Sequence, residues 1–276
     1  MKTIIRSLLF TLGLLTVPAL LPAADTFYIG VAPHTSARVI LEMYQPLRLY
    51  LEKTLERPAE ILTAPDFDEF ARRALKQEYD IAITTGHQAR LLQTDAKYLP
   101  LLTYKADFMA VALVQAKGSV KKVQDLAGKN VLGLSPSSLV TLWGQHWLAE
   151  NKLKGTIMKY VSASDSLAQL VIAGEAATGF TSLANFQNLA PDVQAQLHIL
   201  AESQPMVGRV YMLNGRDVSL RKKLDATLSE FAKSTEGLHY FATYKLGGYR
   251  PLSTGELKSM DKYAAEVRKL LKKDEK

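Results

Sequence analysis

Apolar and polar positions alternate along this chain with two different periods. Short runs that are almost wholly apolar or β-branched, such as FYIGV, EILT, DIAIT, VLGL and RVYML, predict buried strands. The segments between them repeat their apolar residues every three or four positions, the signature of amphipathic helices. In ARVILEMYQPLRLYLEKTL, Ile40, Met43, Tyr44, Leu47 and Leu51 share one helical face, with Pro46 expected to kink it. Asp66 followed by Glu69 reads as a capped start to the next helix. The strand YDIAIT leads to a helix from about His87 to Gln93, and YLPLLTY and FMAVALVQ supply two more strands. The polar stretch KGSVKKVQDLAGKN then separates a second series of the same kind. That series runs VLGL, a helix opened by SPSS and reaching about Asn151, IMKYVS, a helix from Ser164 to Ala173, EAATGF, a helix near Leu183 to Leu189, and LHILAE. After RVYMLNG the chain reads as helical to its end, with a basic amphipathic helix from Lys258 packed on the body.

Strand–helix alternation of this kind predicts an α/β architecture, with parallel sheets covered by helices on both faces. A chain that leaves one such series, builds another and returns predicts two lobes joined by a hinge, with a cleft between them. The expected boundaries are 25–107 for the first part of lobe 1, 108–207 for lobe 2, and 208–276 for the return to lobe 1 and the C-terminal helices.

The first 24 residues fit neither lobe. MKTIIR is a short basic start, SLLFTLGLLTVPALL is apolar but broken by Gly13 and Pro18, and small residues precede Asp25. This is the pattern of a cleaved secretory signal, and the run is shorter than the ~20 residues of a membrane span. The mature protein is therefore expected in a periplasm, as a monomer. Hydrophobic residues at 47% and charged residues at 22% exclude a disordered chain. The absence of cysteine excludes disulfides, thiolate metal sites and cysteine nucleophiles. The five histidines, at 34, 87, 146, 198 and 239, lack metal-ligand spacing, so neither a metal nor a cofactor is expected. The formal charge is +7, or +5 once Lys2 and Arg6 leave with the signal, and no basic–aromatic stripe accompanies it. Nucleic acid is not an expected partner.

Ligands of open α/β sheets sit at the carboxyl ends of strands, where helices begin. The residues at those ends here are mostly hydroxylic: His34, Thr35 and Ser36 after the first strand, Thr84, Thr85 and His87 after YDIAI, Ser164 and Asp165 after IMKYV, and Thr181 with Ser182 after EAATGF. The sharpest of these turns is SPSS. Ser135 is expected to cap its helix with Pro136 at the first helical position, leaving Ser137 and Ser138 to add hydroxyls beside free backbone NH groups. Such a helix start favours an oxyanion. No Lys or Arg stands among these residues, so neutral dipoles are expected to hold the anion. GLSPS also approaches the G-x-S-x-G nucleophile elbow, but Ser137 replaces the last glycine and Pro136 removes an oxyanion-hole NH. An exported hydrolase is the weaker alternative, and no enzyme activity is expected.

Four segments in order, YIGVAPHTSARVILEMYQPLRLYLEK, TAPDFDEFARRAL, EYDIAI and SVKKVQDLAGKNVLGLSPSS, resemble the periplasmic phosphate-, phosphite- and phosphonate-binding components of ABC importers. The likeness runs from Phe27 to about Asn214. It implies a type II periplasmic binding fold whose small oxyanion or compact polar solute is closed between the lobes and delivered to a membrane permease. A sensing subunit of a signalling receptor is the alternative role. Within the resemblance, Ser137 and Ser138 match the family's serine-rich anion turn, with Leu139 and Val140 where a further serine and a glycine stand. Phe67 matches the aromatic residue after Pro-Asp, Ser164 and Asp165 match a second ligand-contacting turn, and Ala177 stands where aspartate is common.

Overall fold

The structure, a computed structural model, describes residues 25–273; the expected signal over 1–24 lies outside the described residues. The first series folds as β1 (Phe27–Val31), α1 (Ala37–Leu55), β2 (Ala59–Leu62), α2 (Phe67–Leu75), β3 (Ile81–Thr85), α3 (Gly86–Asp95) and β4 (Leu99–Tyr104). The second comprises β5 (Ala110–Gln115), β6 (Asn130–Gly133), α4 (Leu139–Glu150), β7 (Ile157–Tyr160), α5 (Ser164–Ile172), β8 (Thr178–Ser182), α6 (Leu183–Gln187), α7 (Pro191–Gln194) and β9 (Leu197–Glu202). The chain then returns as β10 (Arg209–Leu213), α8 (Arg221–Phe231), α9 (Thr235–Thr243), β11 (Tyr249–Arg250) and α10 (Asp261–Lys273). Helix α1 runs without interruption from Ala37 to Leu55 with Pro46 inside it. The C-terminal region is not helical throughout, because Tyr249 and Arg250 pair with Thr103 and Tyr104 of β4.

Two sheets result, ordered β11-β4-β10-β3-β1-β2 and β7-β6-β8-β5-β9. They are mixed, not parallel as the alternation implied. Strands β1, β2 and β3 are parallel, but β10 runs antiparallel to both β3 and β4, and β5 runs antiparallel to β8 and β9. Strands β5 and β10 are entered directly from the other sheet, whereas the two-residue β11, also antiparallel to its neighbour β4, is not. The first two each begin at the end where the sheets face one another and have to run away from it. The two crossovers themselves pair, through an antiparallel bridge between Phe108 and Met206 whose Met206 NH donates to the Phe108 carbonyl at 2.8 Å.

Helices cover both faces of the first sheet. Apolar side chains of α1, α8 and α9 close one face and those of α2, α3 and α10 the other. Under α1 and α9, Tyr104 hydrogen-bonds the hydroxyls of Tyr211 and Tyr240, and Tyr211 bonds Tyr249 at 2.8 Å. At the far end of this sheet Asp80 is buried, accepting from the Tyr28 NH at 2.6 Å and from Arg216 at 2.6 Å, with Arg57 at 3.6 Å.

Helix α4 serves both lobes. Its Leu139 and Leu142 join the core beneath α3 and α10, while Val140 and Trp143 join the core of the second sheet with Phe180. Gly144 is needed there because a Cβ would stand 2.4 Å from the Phe180 ring. Farther along α4, His146 Nε2 lies 2.6 Å from the Glu266 carboxylate of α10.

Candidate functional site

The ends of β1, β3, β6 and β8 turn into helices α1, α3, α4 and α6 where the two sheets approach. After β1 the chain bends at His34 and Thr35, and the His34 ring folds back so that Nδ1–H donates to the Ala32 carbonyl at 2.9 Å. Its Nε2 is then an acceptor, and the Arg209 guanidinium donates to it at 2.8 Å. Burial, and next the Arg209 charge, push His34 down to about 3, so the ring is neutral. Thr35 and Ser36 are exposed, and Ser36 accepts from the Val39 NH as the cap of α1. Phe67 is half-buried at the start of α2, behind the cap Asp66.

The β3 end is buried. Thr84 donates to Gln88 at 2.8 Å, and Thr85 bonds His87 Nδ1 at 3.1 Å. His87 Nε2–H then donates to the Ser137 carbonyl at 2.8 Å, across from one lobe to the other. Burial depresses His87 to about 4, only partly offset by that carbonyl, and it too is neutral. The close approach requires Gly86, whose Cβ would lie 2.6 Å from Val207 on the returning crossover.

In the second lobe, Ser135–Ser138 form a turn closed by Ser138 NH to the Ser135 carbonyl, and α4 begins only at Leu139. Ser138, not Ser135, is the cap, and Pro136 lies in the turn rather than at the first helical position. Thr141 decides this: its NH donates to Ser138 Oγ, while its own hydroxyl bonds Ser138 Oγ at 2.8 Å and accepts from the Leu134 NH. The displaced serines are left without such work. Ser135 Oγ and Ser137 Oγ are buried atoms with no hydrogen-bond partner. Nearby in the lobe, Ser164 and Thr181 bond each other at 3.1 Å, and Asn185 donates to both. Asp165 is exposed in the first turn of α5.

The structure therefore brings His34, Thr85, His87, Ser135 and Ser137 to the facing strand ends, and groups Ser164 with Thr181. It leaves Thr35, Ser36 and Asp165 exposed, and gives Ser138 to the helix. Sequence reasoning missed Arg209, Thr141 and Asn185. The expectation of a rim without a cation fails at Arg209, which pairs with Thr85 in the β10–β3 register. A search confined to carboxyl ends passes over it, because in an antiparallel strand it is the first residue that reaches the rim. The signal was present as an arginine heading the apolar run VYML.

The sequence matches the family described as "ABC transporter, phosphonate, periplasmic substrate-binding protein" over residues 29–257. The chain belongs to that family. It is a substrate-binding protein of an ABC transporter, and its two α/β lobes are the type II periplasmic binding fold. PhnD1 from Prochlorococcus marinus, solved in complex with methylphosphonate, is similar with a TM-score of 0.78 at 12% identity, covering 88% of this chain and 98% of that one. XAC2383 from Xanthomonas citri, solved with chloride, is similar with a TM-score of 0.75 at 19% identity, covering 88% and 99%. A binding-protein component of an ABC phosphonate transporter from Pseudomonas aeruginosa has a TM-score of 0.70 at 14% identity, covering 91% and 99%. No curated protein matches the sequence. Of the two serines that sequence resemblance matches to the family's anion turn, Ser137 is buried with an unpartnered hydroxyl and Ser138 caps α4.

Proposed function

We propose that the mature protein is a periplasmic, monomeric carrier that encloses one small phosphonate-like oxyanion between its lobes and presents it to the membrane permease of an importer, without chemistry on the ligand, metal or nucleic acid. The observation that carries this reading is the pair of buried, unpartnered hydroxyls on Ser135 and Ser137. A buried polar group without a partner costs about 1–3 kcal/mol, which a bound oxyanion recovers by accepting from both. Neutral donors suit this task, since each is an O–H that needs no counter-charge when the cleft is empty. Contacts of a hydroxyl with a charged group are worth about 1.5–3 kcal/mol. Ser137→Ala should therefore weaken binding of methylphosphonate about 10- to 100-fold in calorimetric titration of the mature chain, with folding intact by circular dichroism. Unchanged affinity would return Ser137 to a purely structural role. A panel of phosphonates, phosphate, sulfate and small carboxylates giving no heat at millimolar concentration would overturn the carrier reading.

A further inference from the structure

Arg209 is the one feature of the rim that a cradle of hydroxyls does not explain. Its Nη1 donates to His34 Nε2 at 2.8 Å and Tyr44 OH at 3.2 Å, and its guanidinium carbon lies 5.3 Å from the centre of the Tyr104 ring. All of these neighbours are neutral. Burial works against the charge, but a guanidinium keeps its proton at any ordinary pH, and here it also donates to the Tyr44 hydroxyl. Among the described residues Arg209 forms no ion pair, whereas Arg57 and Arg216 share Asp80, Arg90 has Asp261, Arg250 has Glu256 and Arg268 has Asp95. A half-buried cation without a counter-ion is costly to hold in a fold.

The same side chain has an unused edge. Every hydrogen bond from it to another described residue leaves from Nη1, and neither Nε nor Nη2 is among the sealed, unpartnered atoms. Those two N–H groups are the parallel donors that a guanidinium offers to a carboxylate as a two-pronged fork. Arg209 itself stands on the rim, since it is paired with Thr85, Thr85 bonds His87, and His87 bonds the carbonyl of Ser137.

We propose that Arg209, oriented by His34 and Tyr44, is a second anion-recognition point in the cleft, and that the ligand carries two acidic groups: an oxyanion for Ser135 and Ser137, and a carboxylate for the Arg209 fork. This rests on the carrier reading above and narrows it to carboxylate-bearing phosphonates. An aminoalkyl phosphonate would place its ammonium beside the guanidinium, with Asp165 exposed elsewhere, and is disfavoured.

The test is calorimetric titration of the mature protein with phosphonoacetate, methylphosphonate, 2-aminoethylphosphonate and malonate. Phosphonoacetate should bind at least tenfold tighter than methylphosphonate, and 2-aminoethylphosphonate weakest of the three phosphonates. Arg209→Gln should erase the advantage of phosphonoacetate while changing methylphosphonate less than threefold, and Arg209→Lys, which keeps the charge but not the fork, should fall between. Equal affinity of the wild type for phosphonoacetate and methylphosphonate would overturn the proposal, even if no variant folds. So would an Arg209→Gln protein that loses both ligands equally. Malonate binding that depends on Arg209, with no phosphonate bound, would keep the subsite and discard the phosphonate reading; no binding by any of the four would remove both.

Discussion

Replacing Asp80 by alanine is expected to destabilise the protein by about 3–5 kcal/mol, the range for removing one partner from a buried ion pair. Asp80 precedes β3 at the end of the first sheet remote from the cleft, only 4% exposed. Its carboxylate receives the Tyr28 NH of β1, Arg216 from the segment after β10, and Arg57 from the loop after α1. One side chain thus ties three stretches of chain that are far apart in sequence. Without it, Arg57 is left half-buried with its charge uncompensated, while Arg216, 46% exposed, can turn to water. The lower part of the range is accordingly the expectation. Asp80→Asn keeps an acceptor for the Tyr28 NH and should lose less. Urea denaturation followed by circular dichroism checks both, and an alanine variant within about 1 kcal/mol of the parent would show that the arginines re-pair elsewhere. Ligand affinity should be unaffected.

Stability is also expected to fall as pH drops below about 6.5, and His87 is a principal cause. In the unfolded chain its imidazole protonates near the ordinary value of 6.5; in the fold it does so only at about 4. Above pH 6.5 it is neutral in both states and contributes nothing to the pH dependence. Between 6.5 and about 4 the unfolded chain binds a proton that the native state refuses, so unfolding is progressively favoured. Below about 4 the native state protonates as well and the loss levels off, at about 3 kcal/mol for this residue. His34 acts in the same direction and extends the window to about 3. Gln can still donate to the Ser137 carbonyl but does not titrate, so His87→Gln should flatten the decline. Unfolding free energies at pH 7 and pH 4.5 for parent and variant are the measurement. Parallel declines would mean that His87 is not the group responsible.

Much of the scaffold is legible in the sequence, and the reason is burial. Helix α1 is read end to end because Ile40, Met43, Tyr44, Leu47 and Leu51 all face one core. Strand β3 is read because every residue in it is buried, while β8 starts and ends later than EAATGF suggests and takes in Thr181 and Ser182. By contrast β11 has two residues, too few for any period, and exists only through its pairing with β4. The tyrosine cluster joins positions 44, 104, 211, 240 and 249, whose association depends wholly on topology. At SPSS three hydroxyls compete for one cap within four residues, and the arbiter, Thr141, lies inside the helix. Arg209 was hidden for a directional reason, since finding it requires knowing that β10 runs opposite to β3.

Helix α4 belongs by sequence to the second lobe, yet two of its apolar side chains, Leu139 and Leu142, are seated in the first. Any rotation that parts the sheets must unseat Leu139 and Leu142 from beneath α3 and α10, or else pull Val140 and Trp143 away from Phe180. Returning two such leucines to water costs about 3–6 kcal/mol, and the His146–Glu266 contact breaks with them. The seam is therefore a latch whose grip does not depend on the cargo. It slows the escape of whatever the cleft encloses, and a membrane partner that takes the cargo has to prise α4 from α10 rather than merely compete for the ligand.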